Sequence, residues 1–424
     1  MNYKTKKLSL LALSLPLMLL LNGCHHSYTS TQEPTTFLTF TNTQKADVVI
    51  GQKDFNSTES SSEGNISANR FRGFLYDNAY INNGKLFISD YEGNRILVYN
   101  SIPTKNNANA DYVIGQASLT SSDLNKTTAN LISGPGNVIV ANGKLLVADY
   151  DNDRVLIYNT IPTENNASAD IVIGQADLYS NNNEDNRTTI CNAQQFTLSN
   201  ILVVGDKLLI SDDNNRVLIY NHIPTENNAS ADFVLGQNSL TTCIANDDDQ
   251  DGKEDNHPTA RTFHSPNGMW SDGKKLVIND YFNNRTLIWN TFPTENFTPA
   301  DVVLGQNNFD MQALNDDDQD GQKDSHPTAR TLRHPYDGVT SNSKQLFIAD
   351  YGNNRVLIWN TFPTKNFTPA DVVLGQKDMN TRDINCTKIT ASSLCFPDGV
   401  AITNSELFVT DSENNRVLIF NSKN

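Results

Sequence analysis

No P-loop, dinucleotide-binding fingerprint or His-Glu-x-x-His stands in the 424 residues, and no nucleophile–base pair stands out. Positive charge is also short. Against 48 Asp and Glu there are 32 Lys and Arg, a formal charge of −16, which repels nucleic acid and anionic membrane surfaces. Nucleic acid is therefore excluded as a partner, while cations and neutral ligands stay open. Long apolar runs are missing apart from Leu8 to Leu21, broken by Ser9, Ser14 and Pro16. That stretch is shorter than the roughly 20 apolar residues a membrane-spanning helix needs. Cysteine is scarce, with five residues in the chain.

What is present begins with an export signal. Lys4, Lys6 and Lys7 precede the apolar run, so residues 1–23 are expected to be removed, taking the charge from −16 to −19. The run ends Leu21-Asn22-Gly23-Cys24, which resembles a bacterial lipobox. The resemblance implies that Cys24 is lipidated and becomes the mature N-terminus, anchoring the protein in the cell envelope; an ordinary secretory signal is the alternative. His25 follows the cysteine where Asp does not, which favours the outer membrane. Residues 24–45, rich in Ser, Thr and Gln without apolar period, read as a flexible tether. The other four cysteines, Cys191, Cys243, Cys386 and Cys395, suit two disulfides in an exported protein, with three connectivities available. Cys386 and Cys395 are neighbours in one loop region, which favours that pair and leaves Cys191 with Cys243. Free or buried thiols are the alternative.

One segment recurs six times. Its copies include ISDYEGNRILVYN at 88–100, VADYDNDRVLIYN at 147–159 and VTDSENNRVLIFN at 409–421. The arginines fall at 95, 154, 216, 285, 355 and 416, spaced 59, 62, 69, 70 and 61 residues apart. Each unit reads as four strands, illustrated by Gly134 to Val140, Lys144 to Val147, Arg154 to Tyr158 and an Ala-Asp-x-Val-Ile/Leu-Gly-Gln segment. The third strand is apolar at nearly every position, as in a sheet covered on both faces. A β-rich period of this length predicts a propeller. The last unit lacks a fourth strand, while a spare one, Ala46 to Gln52, precedes the first. The expected fold is therefore an all-β, six-bladed propeller over 46–424, with four-stranded antiparallel blades and the N-terminal strand closing the ring on the last blade. A linear solenoid would leave the spare strand unexplained.

Phe396-Pro397-Asp398-Gly399-Val400, followed by Asp411-Ser412-Glu413-Asn414-Asn415-Arg416-Val417, resembles the NHL repeat. The resemblance extends over about 46–421 and implies a TolB-like six-bladed propeller. It is weaker at Tyr76-Asp77-Asn78 and Leu198-Ser199-Asn200, which lack the proline. The family includes enzymes, scaffolds and ligand sensors, so the fold leaves function open.

Two acidic insertions carry the sharpest chemical signal. They are Asn246-Asp247-Asp248-Asp249-Gln250-Asp251-Gly252-Lys253-Glu254-Asp255 and Asn315-Asp316-Asp317-Asp318-Gln319-Asp320-Gly321-Gln322-Lys323-Asp324. Each contains Asp-x-Asp-x-Asp-Gly-x-x-Asp, similar to EF-hand-like and thrombospondin-type-3-like loops. Alternate carboxylates wrapped around one point suit Ca2+. Asp247, Asp249, Asp251 and Asp255, with Asp316, Asp318, Asp320 and Asp324, are the expected ligands of two structural calcium ions. Pro258 and Pro327 stand where an EF-hand places its bidentate Glu, so the sites are incomplete or finished by another segment. A solvated, duplicated acidic loop is the bland reading. His257, His264, His326 and His334 recur beside these loops, a pattern that suits duplication better than zinc.

The Asp and Arg of each repeat, Asp90 with Arg95 through Asp411 with Arg416, recur six times and so read as structural. Aligning the repeats places Asp77, Asn78, Asn137, Asn200, Asn267, Asp337 and Asp398 near the channel mouth as a possible ligand rim. Trp289 and Trp359 sit in third strands and read as core. A binding or scaffold module for a protein or carbohydrate is the leading expectation. The rival is a lactonase-type propeller hydrolase, in which Asn78, Asn137, Asn200 and Asp337 or Asp398 would gather around a channel metal. Amidating-lyase relatives place His after the repeat proline. Gly136, Asn267, Tyr336 and Asp398 stand there instead, which counts against a lyase.

Overall fold

A computed structural model describes residues 36–60, 66–73, 75, 79–123, 127–180 and 191–423. The export signal, Cys24, Asp77 and Asn78 lie outside these residues.

Six four-stranded antiparallel sheets follow one another as blades. Blade two is representative, with strands Pro135–Ala141, Lys144–Asp149, Arg154–Tyr158 and Ile171–Ile173 running from the axis outward. Its third strand is buried at all five positions, because neighbouring blades cover both faces. The apolar core is accordingly divided among six clusters, each filled by two adjacent blades. The ring closes as expected. Val48–Ile50 pairs antiparallel with Arg416–Asn421, matching Val49 to Leu418, so blade six takes its outer strand from the N-terminal end.

The repeated Asp–Arg pair is entirely internal. Arg285 Nε lies 2.8 Å from Asp280 Oδ2, and both side chains are fully buried. The guanidinium also donates to the carbonyls of Thr259, Thr262 and Phe309, while the other oxygen of Asp280 accepts the His264 amide. One arginine thus ties the hairpin to the segment entering its blade and to the segment leaving it. The arrangement recurs at Arg95, Arg154, Arg216, Arg355 and Arg416.

Asparagines join blade to blade. Asn106, Asn165, Asn227, Asn296 and Asn366 each accept the backbone N–H of the preceding blade's outer strand, at Val49, Val113, Val172, Val234 and Val303. Asn42 completes the circle by accepting from Val373. This corrects the tether. Residues 36–45 are the missing loop of blade six, with Leu38 and Phe40 buried between blades five and six and Gln345 bonding both backbone groups of Leu38. Two inserted apolar side chains and a set of hydrogen bonds from Gln345, Asn42, Gln44 and the Thr39 backbone dock a segment with no visible period.

Both disulfides take the favoured pairing, Cys191–Cys243 and Cys386–Cys395. The first fixes the chain just before the first acidic insertion.

Replacing Asp280 by Ala leaves a guanidinium buried without its counter-charge, and removing one partner of such a pair costs about 3–5 kcal/mol. The urea midpoint should fall accordingly, whereas Asn106→Ala should cost only about 1 kcal/mol. Similar small losses for both variants would show that the pair is not the tie described.

Candidate functional site

The two acidic insertions enter blades four and five and fold alike. In the first, Asp247 is almost fully buried and accepts the amides of Asp251 and Gly252 at 3.1 and 3.0 Å. Gly252 has φ +83°, a left-handed conformation that favours glycine and lets the chain turn back on the carboxylate. Asp248 N–H donates to Asp255 Oδ2 at 3.0 Å, bringing the loop's end over its start. Oxygens of Asp247, Asp249 and Asp255 consequently lie within 4.8 Å of one another, and so do those of Asp316, Asp318 and Asp324.

Two of the eight expected ligands do not join these clusters. Asp251 is held by Lys253, whose ammonium approaches to 2.8 Å and keeps the carboxyl below the usual carboxylate range. Asp320 accepts the backbone and side-chain amides of Gln322. Sequence spacing alone cannot distinguish a ligand from a carboxylate turned toward the next residue but one. The intervening Asp248 and Asp317 have a separate use, accepting the hydroxyls of Thr259 and Thr328 at 2.8 and 2.7 Å. That gives the first threonine of the Pro-Thr-Ala-Arg-Thr after each loop a use.

The loops are fastened to the Asp–Arg framework. Asn246 and Asn283 exchange amide hydrogen bonds at 3.1 and 2.9 Å, and Asn283 also donates to Asp280. Asn315, Asn353 and Asp350 repeat the arrangement. Burial raises the Asp316 carboxyl above its ordinary value, and the nearby Asp320 charge adds to the effect against three opposing backbone donors.

The rim expected at the channel mouth is largely turned inward. Inner strands of blades two, three, four and six carry register irregularities at the residues concerned, which re-aim them toward the axis. Asn137 Nδ2 donates to Asn200 Oδ1 at 2.9 Å, and Asn200 Nδ2 donates to Asp337 Oδ1 at 2.7 Å. Asn200, Asn267, Asp337 and Asp398 are almost fully buried rather than an open polar lip, and Asn137, Asn200 and Asp337 form a tie across the channel. Where blade four has glycine, space requires it: a Cβ on Gly268 would stand 2.2 Å from the Asp337 carbonyl oxygen.

An aromatic arc was not anticipated. Tyr281 packs on Tyr336 with ring centroids 5.2 Å apart, Tyr336 lies 5.9 Å from Tyr351, and Tyr351 lies 5.0 Å from Phe396. Its signal was the residue after the repeat Asp, which is tyrosine at 91, 150, 281 and 351. His334 stacks on Tyr281 at 4.9 Å, and burial together with the Arg333 charge pushes its imidazole below the ordinary histidine value. The arc adjoins the first acidic loop. Glu254 lies 3.7 Å from His264, whose ring is 4.9 Å from half-exposed Phe282. Trp289 and Trp359 are core, as expected.

A model of the NHL repeat matches residues 394–420. No curated protein matches the chain. Among solved structures, a catalytically inactive virginiamycin B lyase from Staphylococcus aureus, determined with quinupristin, is 11% identical with a TM-score of 0.41, covering 87% of this chain and 97% of its own. The selenomethionine form of the lyase from that organism is also 11% identical, at TM-score 0.41, with 82% and 94% covered. The WD40 propeller domain of Doa1 is 9% identical with a TM-score of 0.42, covering 92% of this chain and 97% of its own.

Asn283→Ala removes the amide between the first loop and Asp280. An unpaired buried amide costs about 1–3 kcal/mol, so amides of 247–255 should exchange with solvent roughly tenfold faster or more, while those of 316–324 keep their rate. Equal exchange in both loops would detach the loop from the framework.

Proposed function

We propose that the protein is a lipid-anchored envelope propeller in which two calcium ions stiffen the loops of a binding face for a protein or carbohydrate partner. The observation that carries this reading is the convergence of Asp247, Asp249 and Asp255, and of Asp316, Asp318 and Asp324, on loops already bonded to the Asp–Arg framework. Carboxylate oxygens are the ligands a hard divalent cation takes, and the remaining positions are open to backbone carbonyls or water. Crowded carboxylates repel one another, and a cation turns that repulsion into attraction.

The role is structural and the binding face lies beside it. The aromatic arc next to Glu254 and His264 offers flat apolar rings among Asn, Asp and Thr, which suits sugar faces or a polar polypeptide. An acidic mature domain on a lipid tether at Cys24 would stand off an anionic membrane, presenting that face outward.

Calorimetry of the protein with CaCl2 should report two sites, with one lost in Asp249→Ala and the other in Asp318→Ala. At calcium tenfold above Kd each site should add about 1.4 kcal/mol to stability. No heat at millimolar calcium would refute both sites. A third site surviving the double variant would instead direct attention to the channel and revive the hydrolase reading.

The raised Asp316 carboxyl sets a pH dependence for the second site. A carboxyl raised on folding favours the protonated native form, so its contribution to stability is present below the unfolded value near about 4 and lost as pH rises through the folded value. Calcium needs the ionised form, so affinity at this loop should rise with pH across that window. A calcium affinity in Asp249→Ala that stays constant from pH 4 to 7 would contradict this.

A further inference from the structure

Thr36 is the first described residue, and its contacts fix the place from which the chain runs back to Cys24. Asn342 Nδ2 donates to the Thr36 carbonyl at 2.9 Å, and the Thr36 hydroxyl donates to Asn404 Oδ1 at 3.2 Å. Both asparagines stand in turns between first and second strands, Asn342 in blade five and Asn404 in blade six. Because strands alternate in direction, that turn shares one face of the ring with the connection from third to fourth strand. The turn between second and third strands, and the insertion leading to the next blade, lie on the other face. The tether therefore leaves from the face opposite the acidic insertions and the aromatic arc.

The two faces differ in chemistry. Leu38 is buried between blades, while Phe37 beside it is 44% exposed. Lys45, Lys344 and Lys423 are exposed on the tether side of blades five and six. Lys344 stands in the Asn342 turn, Lys423 follows Arg416–Asn421, and Lys45 leads into the strand that pairs with it. The nearby carboxylates are engaged within the fold. Asp47 accepts the Asn421 amide at 2.8 Å, and Glu406 accepts the Thr403 hydroxyl at 3.0 Å. On the far face stand Asp151, Glu413 and both acidic insertions.

We propose that the face carrying Asn342 and Asn404 rests on the phospholipid head groups of the membrane that holds Cys24. Phe37 enters the interface, and Lys45, Lys344 and Lys423 meet lipid phosphates. The orientation rests on the lipid anchor of the proposed function. Cys24 is twelve residues from Thr36, a span of at most about 40 Å fully extended. A six-residue strand such as Lys144–Asp149 already rises about 20 Å before turns and insertions are added. Turning the acidic face to the membrane would draw the tether out along the side of the ring, at a cost in conformational entropy. An aromatic ring flanked by basic side chains favours the interface. Lysine attraction to phosphate decays within about 8 Å at physiological salt, so it acts on the face brought close. Net negative charge opposes an anionic surface most strongly on the far face, so attraction and repulsion turn the ring the same way.

The test uses the full-length chain, purified from bacterial membranes and reconstituted into vesicles of equimolar dioleoylphosphatidylcholine and dioleoylphosphatidylglycerol. Flotation through sucrose reads the anchor, and single bimane labels read the orientation. With Cys24 acylated and the other cysteines in disulfides, Ser405→Cys on the tether face and Ser325→Cys on the far face each supply one thiol. Both serines are exposed. A phosphatidylcholine carrying a nitroxide on its head group should quench the label at position 405 roughly twofold or more, and leave that at 325 unchanged. Phe37→Ser, and separately the joint change Lys45→Glu, Lys344→Glu and Lys423→Glu, should weaken quenching at 405 without loss of flotation. Equal quenching at the two positions, stronger quenching at 325, or unchanged quenching in both variants would overturn the orientation in a protein that floats. A protein that does not float refutes the anchor itself, and the orientation with it.

Discussion

A guanidinium buried beside a carboxylate, six times over, is the constraint on which the rest of this molecule rests. Neither charge is tolerable alone in a fully buried position, and the pair is stable because most of the remaining donors and acceptors are used. Those uses are backbone carbonyls and amides from segments about 20 residues away on each side, so one ion pair holds down stretches that form little regular structure themselves. Long inter-blade insertions become tolerable as a result. The two longest, at the acidic loops, are in addition wired directly to the pair through Asn283 and Asn353.

The ring's closure follows a similar economy of parts. Its core is six separate inter-blade clusters, so no single blade buries its apolar faces alone. Stacking supplies burial, and the circle of asparagine caps supplies register, each fixing the height of a loop against the previous outer strand. Blade six differs in that its sheet pairs strands from distant parts of the chain, Val48–Ile50 with Arg416–Asn421.

Much of this was legible in the sequence because the same physical problem is solved six times with the same residues. The Asp and Arg positions, the apolar third strands and the spare strand at Ala46 all repeat or complete a pattern. The docking of residues 36–45 left no apolar period to read, because that loop is held by scattered hydrogen bonds and two inserted side chains. The clue was positional: Asn42 stands four residues before Ala46, as Asn106 does before Ala110. The acidic loops were legible as clusters but not in detail. Whether Asp251 turns inward depends on Lys253 two residues on, a local competition that spacing does not reveal. The channel was the least legible part. Rim residues were placed by alignment at equivalent positions, yet a hydrogen bond from Asn200 to Asp337 joins non-adjacent blades and requires knowledge of the channel's width.

Departures from sixfold repetition are therefore where function is best sought, because repetition already accounts for stability. They are not scattered. Acidic insertions enter blades four and five, the aromatic arc runs from Tyr281 to Phe396, and the inner strands of blades four to six carry Gly268, Gly338 and Gly399 where blades two and three carry Asn137 and Asn200. The glycines bring blades four and five into close backbone approach, while the asparagines reach across from the opposite half. One half of the ring thus presents loops and rings at the surface, and the other supplies polar groups to the channel. The ion pairs meet these segments mainly through backbone carbonyls and amides, which any side chain supplies, so exposed side chains on either surface can vary without removing the contacts that hold the ring together.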